Sequence, residues 1–194
     1  MSATALYKLV SASLLVGAGV SLLPIPARRL AGVLAAVVSL FTLAPAVAGF
    51  VGPPSATLTQ IALLQLCGQK DLIARETIAA LLLVILALIF YPLSLGLGPF
   101  DLFDIGYRPK LILLAMIPIG IALIVHRKHV LLFIGAIDLL AYALGLFDNL
   151  WSALFDPVLV VVCCACLAKT AACRWIRRGS VAAASKPNAN QSRT

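Results

Sequence analysis

What most constrains this chain is a series of long apolar segments, closely spaced and almost free of charge inside. Six can be marked, at about 4–23, 30–50, 77–97, 111–125, 130–147 and 158–172. Crossing the hydrocarbon core of a bilayer takes roughly 20 helical residues, because lipid offers no partner to an unbonded backbone group. The whole chain fits that reading. Of its 194 residues, 62% are hydrophobic and only 11% charged, against roughly 45–50% and 25% for a soluble domain. The expected fold is all-α: a polytopic membrane protein whose residues 1–173 form a small bundle of about six transmembrane helices. Several runs lie near the short limit, so four or five crossings are the alternatives. In composition the chain resembles small bacterial inner-membrane proteins, which makes a multi-pass cell inner membrane protein the expected localisation.

Between the second and third runs lies a more polar stretch, 51–76, with Pro53, Pro54, Gln60, Gln65, Gln69, Lys70, Asp71 and Arg75. It is too polar to span on its own, and its centre, Leu58 to Leu66, reads as a short interfacial or re-entrant helix. Beyond Cys173, residues 174–194 read as a basic, disordered tail. With six crossings, Lys8, Lys70, Arg75, Arg127, Lys128, Lys169, Arg174, Arg177, Arg178, Lys186 and Arg193 share one side, and Arg28, Arg29, Arg108 and Lys110 the other. The positive-inside rule then puts both termini in the cytoplasm. A competing reading treats the first 48 residues as a processed leader ending in Ala46-Val47-Ala48, although a leader carries one short apolar region and not two long ones.

The formal charge of +8 does not point to nucleic acid, because no basic stripe is interleaved with aromatics; the bilayer and its anionic lipids are the expected partners. Of Cys67, Cys163, Cys164, Cys166 and Cys173, only Cys163 and Cys166 stand at C-x-x-C spacing, inside an apolar run and with no second pair to complete a zinc site. The cysteines read as packing residues, with lipidation of Cys173 a lesser alternative and soft-metal binding by Cys163 and Cys166 a weaker one. No metal or cofactor is expected. H-E-x-x-H, G-x-S-x-G and phosphate-cradling glycine motifs are missing, so the chain does not read as an enzyme.

Small residues recur every four positions in the first run, at Ser13, Gly17 and Ser21, and in the second at Ala31, Ala35 and Ser39, with Gly32 and Ala36 beside them. Such stripes let two helix backbones approach closely in lipid. The two loops on the sparsely basic side resemble each other. Leu95-Gly96-Leu97 leads through Phe100-Asp101 and Asp104 to Arg108-Pro109, and Leu144-Gly145-Leu146 leads through Phe147-Asp148 and Trp151 to Asp156-Pro157. A duplicated hairpin is the expectation. These loops offer an acidic, aromatic-lined outer patch of Asp101, Asp104, Asp148, Trp151 and Asp156, set against the plainer reading of an aromatic belt with Asp156 as a helix cap.

Asp138 stands eight positions into the fifth run, where an ionisable group normally faces a partner or a water-filled cavity. Lys169 on the antiparallel sixth helix is its expected partner, and Tyr142, one turn away, is placed to share a hydrogen bond. On these residues the expected function is a non-enzymatic accessory or scaffold component that binds other membrane proteins, or a second copy of itself. The alternative is a small transporter or ion- or proton-conducting protein using the intramembrane Asp.

Overall fold

The computed structural model describes residues 2–42, 46, 52–69, 72–97 and 101–184, with backbone alone for 177–184. Val47 and Ala48 of the leader pattern, Lys70, Asp71, Phe100 and the tail from Ser185 onward lie outside the described residues. All regular structure among the described residues is helical: α1 Ala3–Ser21, α2 Arg28–Phe41, α3 Ala56–Leu66, α4 Leu72–Arg75, α5 Thr77–Ser94, α6 Leu102–Ile105, α7 Lys110–Val125, α8 His129–Ala143, α9 Leu150–Leu154 and α10 Pro157–Ala184.

Three segments are long and apolar enough to cross a membrane, namely Ala3–Ser21, Thr77–Ser94 and the run Leu150–Ile176. The other expected spans fall on helices of 14, 16 and 15 residues, which fall short of the roughly 20 that a crossing needs. The distribution of burial is that of a membrane protein. Ser11, Ser13, Ser21, Ser39, Ser55, Asp138 and Asn149 are buried, whereas Ile78, Leu88, Leu114 and Val125 face outward. In lipid the apolar side chains need no shelter and the polar ones need partners.

Helices α1 and α2 form an antiparallel hairpin that packs backbone to backbone. A Cβ added at Gly17 would lie 2.6 Å from the Gly32 carbonyl oxygen and 2.7 Å from the Ala36 Cβ, and one at Gly32 would lie 2.7 Å from the Gly17 oxygen. Ser13, Gly17 and Ser21 are all buried on this contact face, and of the two stripes in the second run it is Gly32, Ala36 and Ser39 that meet them. The serine hydroxyls are bonded back to carbonyls one turn earlier, Ser21 to Ala18 at 2.7 Å and Ser39 to Ala36 at 3.0 Å, so the tight face carries no stray donor.

The bundle has two chemically distinct ends. At the basic end, Gly68 after α3 lies against the Arg29 guanidinium at the start of α2, and Glu76 before α5 pairs with Lys128 before α8 at 2.8 Å. At the aromatic end, Phe90 of α5 meets Trp151 at 5.0 Å and Phe155 at 5.1 Å between ring centroids, and Tyr7 of α1 meets Phe147 at 5.2 Å. Helix α3 joins the two: Ser55 at its start bonds Asp156, and Gln65 near its finish bonds Ser21 and the Ala18 carbonyl.

Segment 51–76 is therefore not a loop confined to one side. Helix α3 runs through the interior, packed against α1, α2, α8, α9 and α10, and leads from the aromatic end to the basic one. Consequently α1 starts at the aromatic end, while α10, which leaves Asp156 and packs against α4 and α5, finishes at the basic end. The termini of the helical bundle lie at opposite ends, not together as expected. A second difference concerns the expected tail: α10 continues through Arg174, Arg177 and Arg178 to Ala184, since nothing in Cys173 to Ala184 except Gly179 opposes a helix.

The two loops at the aromatic end share a local architecture. Each begins with a glycine in the left-handed region, Gly96 at φ 80° and Gly145 at φ 72°, closed by a bond from the following leucine to the carbonyl five residues back, the Schellman ending. Each continues into a short helix capped by a side chain, Asp101 to Phe103 N and Asn149 to Trp151 N. The loops also dock on each other. Asn149 Nδ2 donates to the Phe103 carbonyl at 2.9 Å, Trp151 Nε1 to the Leu102 carbonyl at 2.9 Å and Leu150 N to the Gly106 carbonyl at 3.2 Å.

Candidate functional site

The densest group of buried polar atoms surrounds Asp138, which α8 carries into the interior at 1% exposure. Its Oδ1 accepts from Gln60 Nε2 at 2.7 Å, and the same amide donates to the Ile134 carbonyl at 3.2 Å. Its Oδ2 lies 2.5 Å from Thr57 Oγ1, which in turn lies 2.6 Å from the Leu154 carbonyl of α9. Three helices thus meet at one carboxyl group. Thr57 and Gln60 stand three positions apart on α3 and so share a face, and the helix starts early enough to present both because Ser55 caps it, its Oγ accepting from Leu58 N at 3.2 Å.

One turn toward the aromatic end, a second set of bonds secures the same helix. Asp156 Oδ2 accepts from Ser55 N at 2.5 Å and Oδ1 from Leu159 N at 2.7 Å, so one carboxylate caps α10 and ties α3 to it. Tyr7 of α1 donates to the Pro54 carbonyl at 2.9 Å and lies 3.0 Å from Thr59 Oγ1. No buried side-chain nitrogen or oxygen among the described residues is left without a partner.

Lys169 is not among the partners of Asp138. It is exposed, and it follows Pro157 by twelve residues, about 18 Å along a helix, while Asp138 lies level with Leu154 before α10 begins. The polar helix α3 packs against both α8 and α10 and supplies the partners that Lys169 was expected to give. Tyr142 likewise makes no bond to Asp138; it packs half-buried against the cluster of Ala56, Ile112, Ala141 and Leu150. Thr57 and Gln60 were missed because their polarity reads as exterior. The signal available in the sequence was the i, i+3 spacing of two uncharged donors in a segment otherwise apolar enough to be buried.

The outer residues are used mainly for construction. Asp101 caps α6 and Asp156 caps α10, Trp151 is half-buried with its ring turned onto Phe90 and Phe155, and Asp104 and Asp148 are exposed. No group of three or more His, Cys, Asp or Glu among the described residues is arranged to hold a metal ion.

On the far flank, α7 rests on α8 alone for most of its length, and an apolar groove of about 750 Å³ separates them, lined by residues such as Met116, Ile117, Gly120, Leu132 and Gly135. Ile112 is the one buried residue of α7 among those described. The chain matches no protein-family model, no curated protein and no solved structure.

Proposed function

We propose that this is a multi-pass inner-membrane protein of the non-enzymatic accessory or scaffold kind, which binds another membrane protein along α7 and α8. The observation that carries this reading is the state of α7: apolar almost throughout, anchored beyond α8 chiefly at Ile112 and set off from α8 by a groove, while the rest of the bundle is tightly bonded. In lipid, helices associate through close van der Waals fit, and Gly120 and Gly135 leave room for it, with a Cβ at either meeting nothing nearer than 3.9 Å.

Orientation belongs to the same proposal. Arg28, Arg29, Arg75, Arg127, Lys128, Lys169 and Arg174 gather toward the basic end, whereas Lys8, Arg108 and Lys110 lie toward the aromatic one, an asymmetry that the positive-inside rule assigns to the cytoplasm. The C-terminal helix then ends in the cytoplasm and the N-terminus lies outside. The matching loops support reading α5 to α7 and α8 to α10 as two copies of one hairpin, both set the same way in the membrane.

The test is purification in mild detergent. A stable hetero-complex that Gly120→Trp dissolves, with the helical content unchanged, supports the reading; a chain that purifies alone from its native membrane overturns it. A second reading, a small proton- or cation-conducting protein, is favoured by one observation: Asp138 is buried beside the first turn of a helix too short to span, with no cationic side chain among the described residues bonded to it, an arrangement also found where transporters bind their ions. Ion-gradient-driven flux into liposomes by the protein alone would favour that reading.

A further inference from the structure

We propose that Asp138 is a proton-binding site, occupied as a carboxylic acid and wired so that its proton ties α3 to α9. The inference comes from counting hydrogens, and it holds whether the protein binds a partner or conducts an ion. Thr57 has one hydroxyl hydrogen and two oxygen neighbours in hydrogen-bond contact, Asp138 Oδ2 at 2.5 Å and the Leu154 carbonyl at 2.6 Å. A carbonyl oxygen only accepts, and an ionised carboxylate only accepts. If Asp138 were ionised, the single hydrogen could serve one of them, and the other contact would bring two lone pairs together at that distance.

A proton on Oδ2 resolves the conflict. Asp138 donates to Thr57, Thr57 donates to Leu154, and Oδ1 remains the acceptor of the Gln60 amide, whose second hydrogen goes to the Ile134 carbonyl. Each donor then has an acceptor. The surroundings agree, because the groups bonded to the carboxyl are a hydroxyl and an amide, and a buried carboxylate lacking a charged partner is strongly disfavoured.

Titratable groups on the neighbouring elements are otherwise engaged. From α1, Tyr7 is bonded to Pro54 and Thr59; ahead of α10, Asp156 accepts from Ser55 N and Leu159 N; Tyr142 on α8 itself packs against apolar side chains; and α3 and α9 present only Thr57, Gln60 and a carbonyl. Asp138 is therefore where a proton resides within the bonded cluster. When it leaves, Thr57 must turn its hydrogen to the carboxylate, and the bond from α3 to Leu154 is lost.

Infrared spectroscopy of the full chain in detergent tests this directly. Near neutral pH the wild type should show a carboxylic C=O stretch that Asp138→Asn removes. Should that variant fail to fold, Thr57→Val, which removes the hydroxyl that the acid bonds to, should move the same band. A proton held by the fold and released on unfolding makes stability fall as pH rises above the ordinary carboxyl range, so the melting temperature of the wild type should drop more steeply between about pH 5 and neutral than that of Asp138→Asn. A wild-type spectrum with carboxylate bands only, a carboxylic band that Asp138→Asn and Thr57→Val both leave in place, or equal pH slopes would overturn the proposal.

Discussion

Thr57, Gln60 and Asp138 form a unit in which each side chain has value only through the other two. Replacing Thr57 with Val or Gln60 with Leu removes one partner and leaves buried oxygen unbonded, which costs about 1–3 kcal/mol per site. Asp138→Asn should cost less, because its amide donates to Thr57 and its oxygen accepts from Gln60 as the acid does. Thermal unfolding in detergent should therefore rank Asp138→Asn above Thr57→Val and Gln60→Leu; the reverse order would show that the negative charge, and not the bonding pattern, is what the fold uses. The burial of Asp138 was legible in the sequence, since a carboxyl inside an apolar run has few other options. Its partners were not. A search for the opposite charge leads to Lys169, whereas neutral Thr57 and Gln60 lie some eighty positions upstream in a segment whose glutamines suggest exposure. In a membrane protein the polar side chains turn inward, so that cue works in reverse.

At the scale of elements, close approach is the recurring device, and glycines mark where it occurs. Gly17→Ala places a methyl 2.6 Å from the backbone oxygen of Gly32; α1 and α2 must separate, at a cost of about 1–3 kcal/mol, and pairing of engineered cysteines across the hairpin should fall. Gly106→Ala is more severe, since its Cβ would collide with the Asn149 side chain and break the docking of the two loops, so cross-linking between α6 and α9 should be lost. The turn from α7 to α8 goes the other way. Arg127 occupies the left-handed region at φ 55°, which costs a non-glycine residue roughly 1 kcal/mol, and Arg127→Gly should raise the melting temperature slightly. The Lys128 to Glu76 pair next to it is partly exposed and should matter by less than about 1 kcal/mol. The small-residue stripe in the first run was legible because every fourth residue points the same way, while the choice between the two stripes of the second run depended on a helix rotation that spacing alone does not define. The Leu-Gly-Leu endings were legible as helix stops for the same local reason that the structure uses them, a glycine able to adopt positive φ.

For the whole molecule, hydropathy located the apolar helices and misplaced the chain's parity. Residues Ala56 to Leu66 form a helix of 11 residues, about 16 Å long, which no length criterion recognises as a pass through a membrane. It nonetheless links the two ends of the bundle, from Ser55 beside Asp156 to Gln65 beside Ser21, with its polar groups bonded inside. Moving that segment from a side to the interior reverses the placement of everything before it. Lys8 joins the aromatic end, and Arg28 and Arg29 join the basic end, so the separation of charge sharpens. The measurement that tests this account most directly is the sidedness of the two terminal helices, read by an impermeant thiol reagent on single cysteines at Ser2 and Ser180 in otherwise cysteine-free protein, in intact cells and in inverted vesicles. The account predicts opposite answers, Ser2 labelled from outside and Ser180 only from the cytoplasmic face. Labelling of both from the same side would contradict it, and would return α3 to the membrane surface.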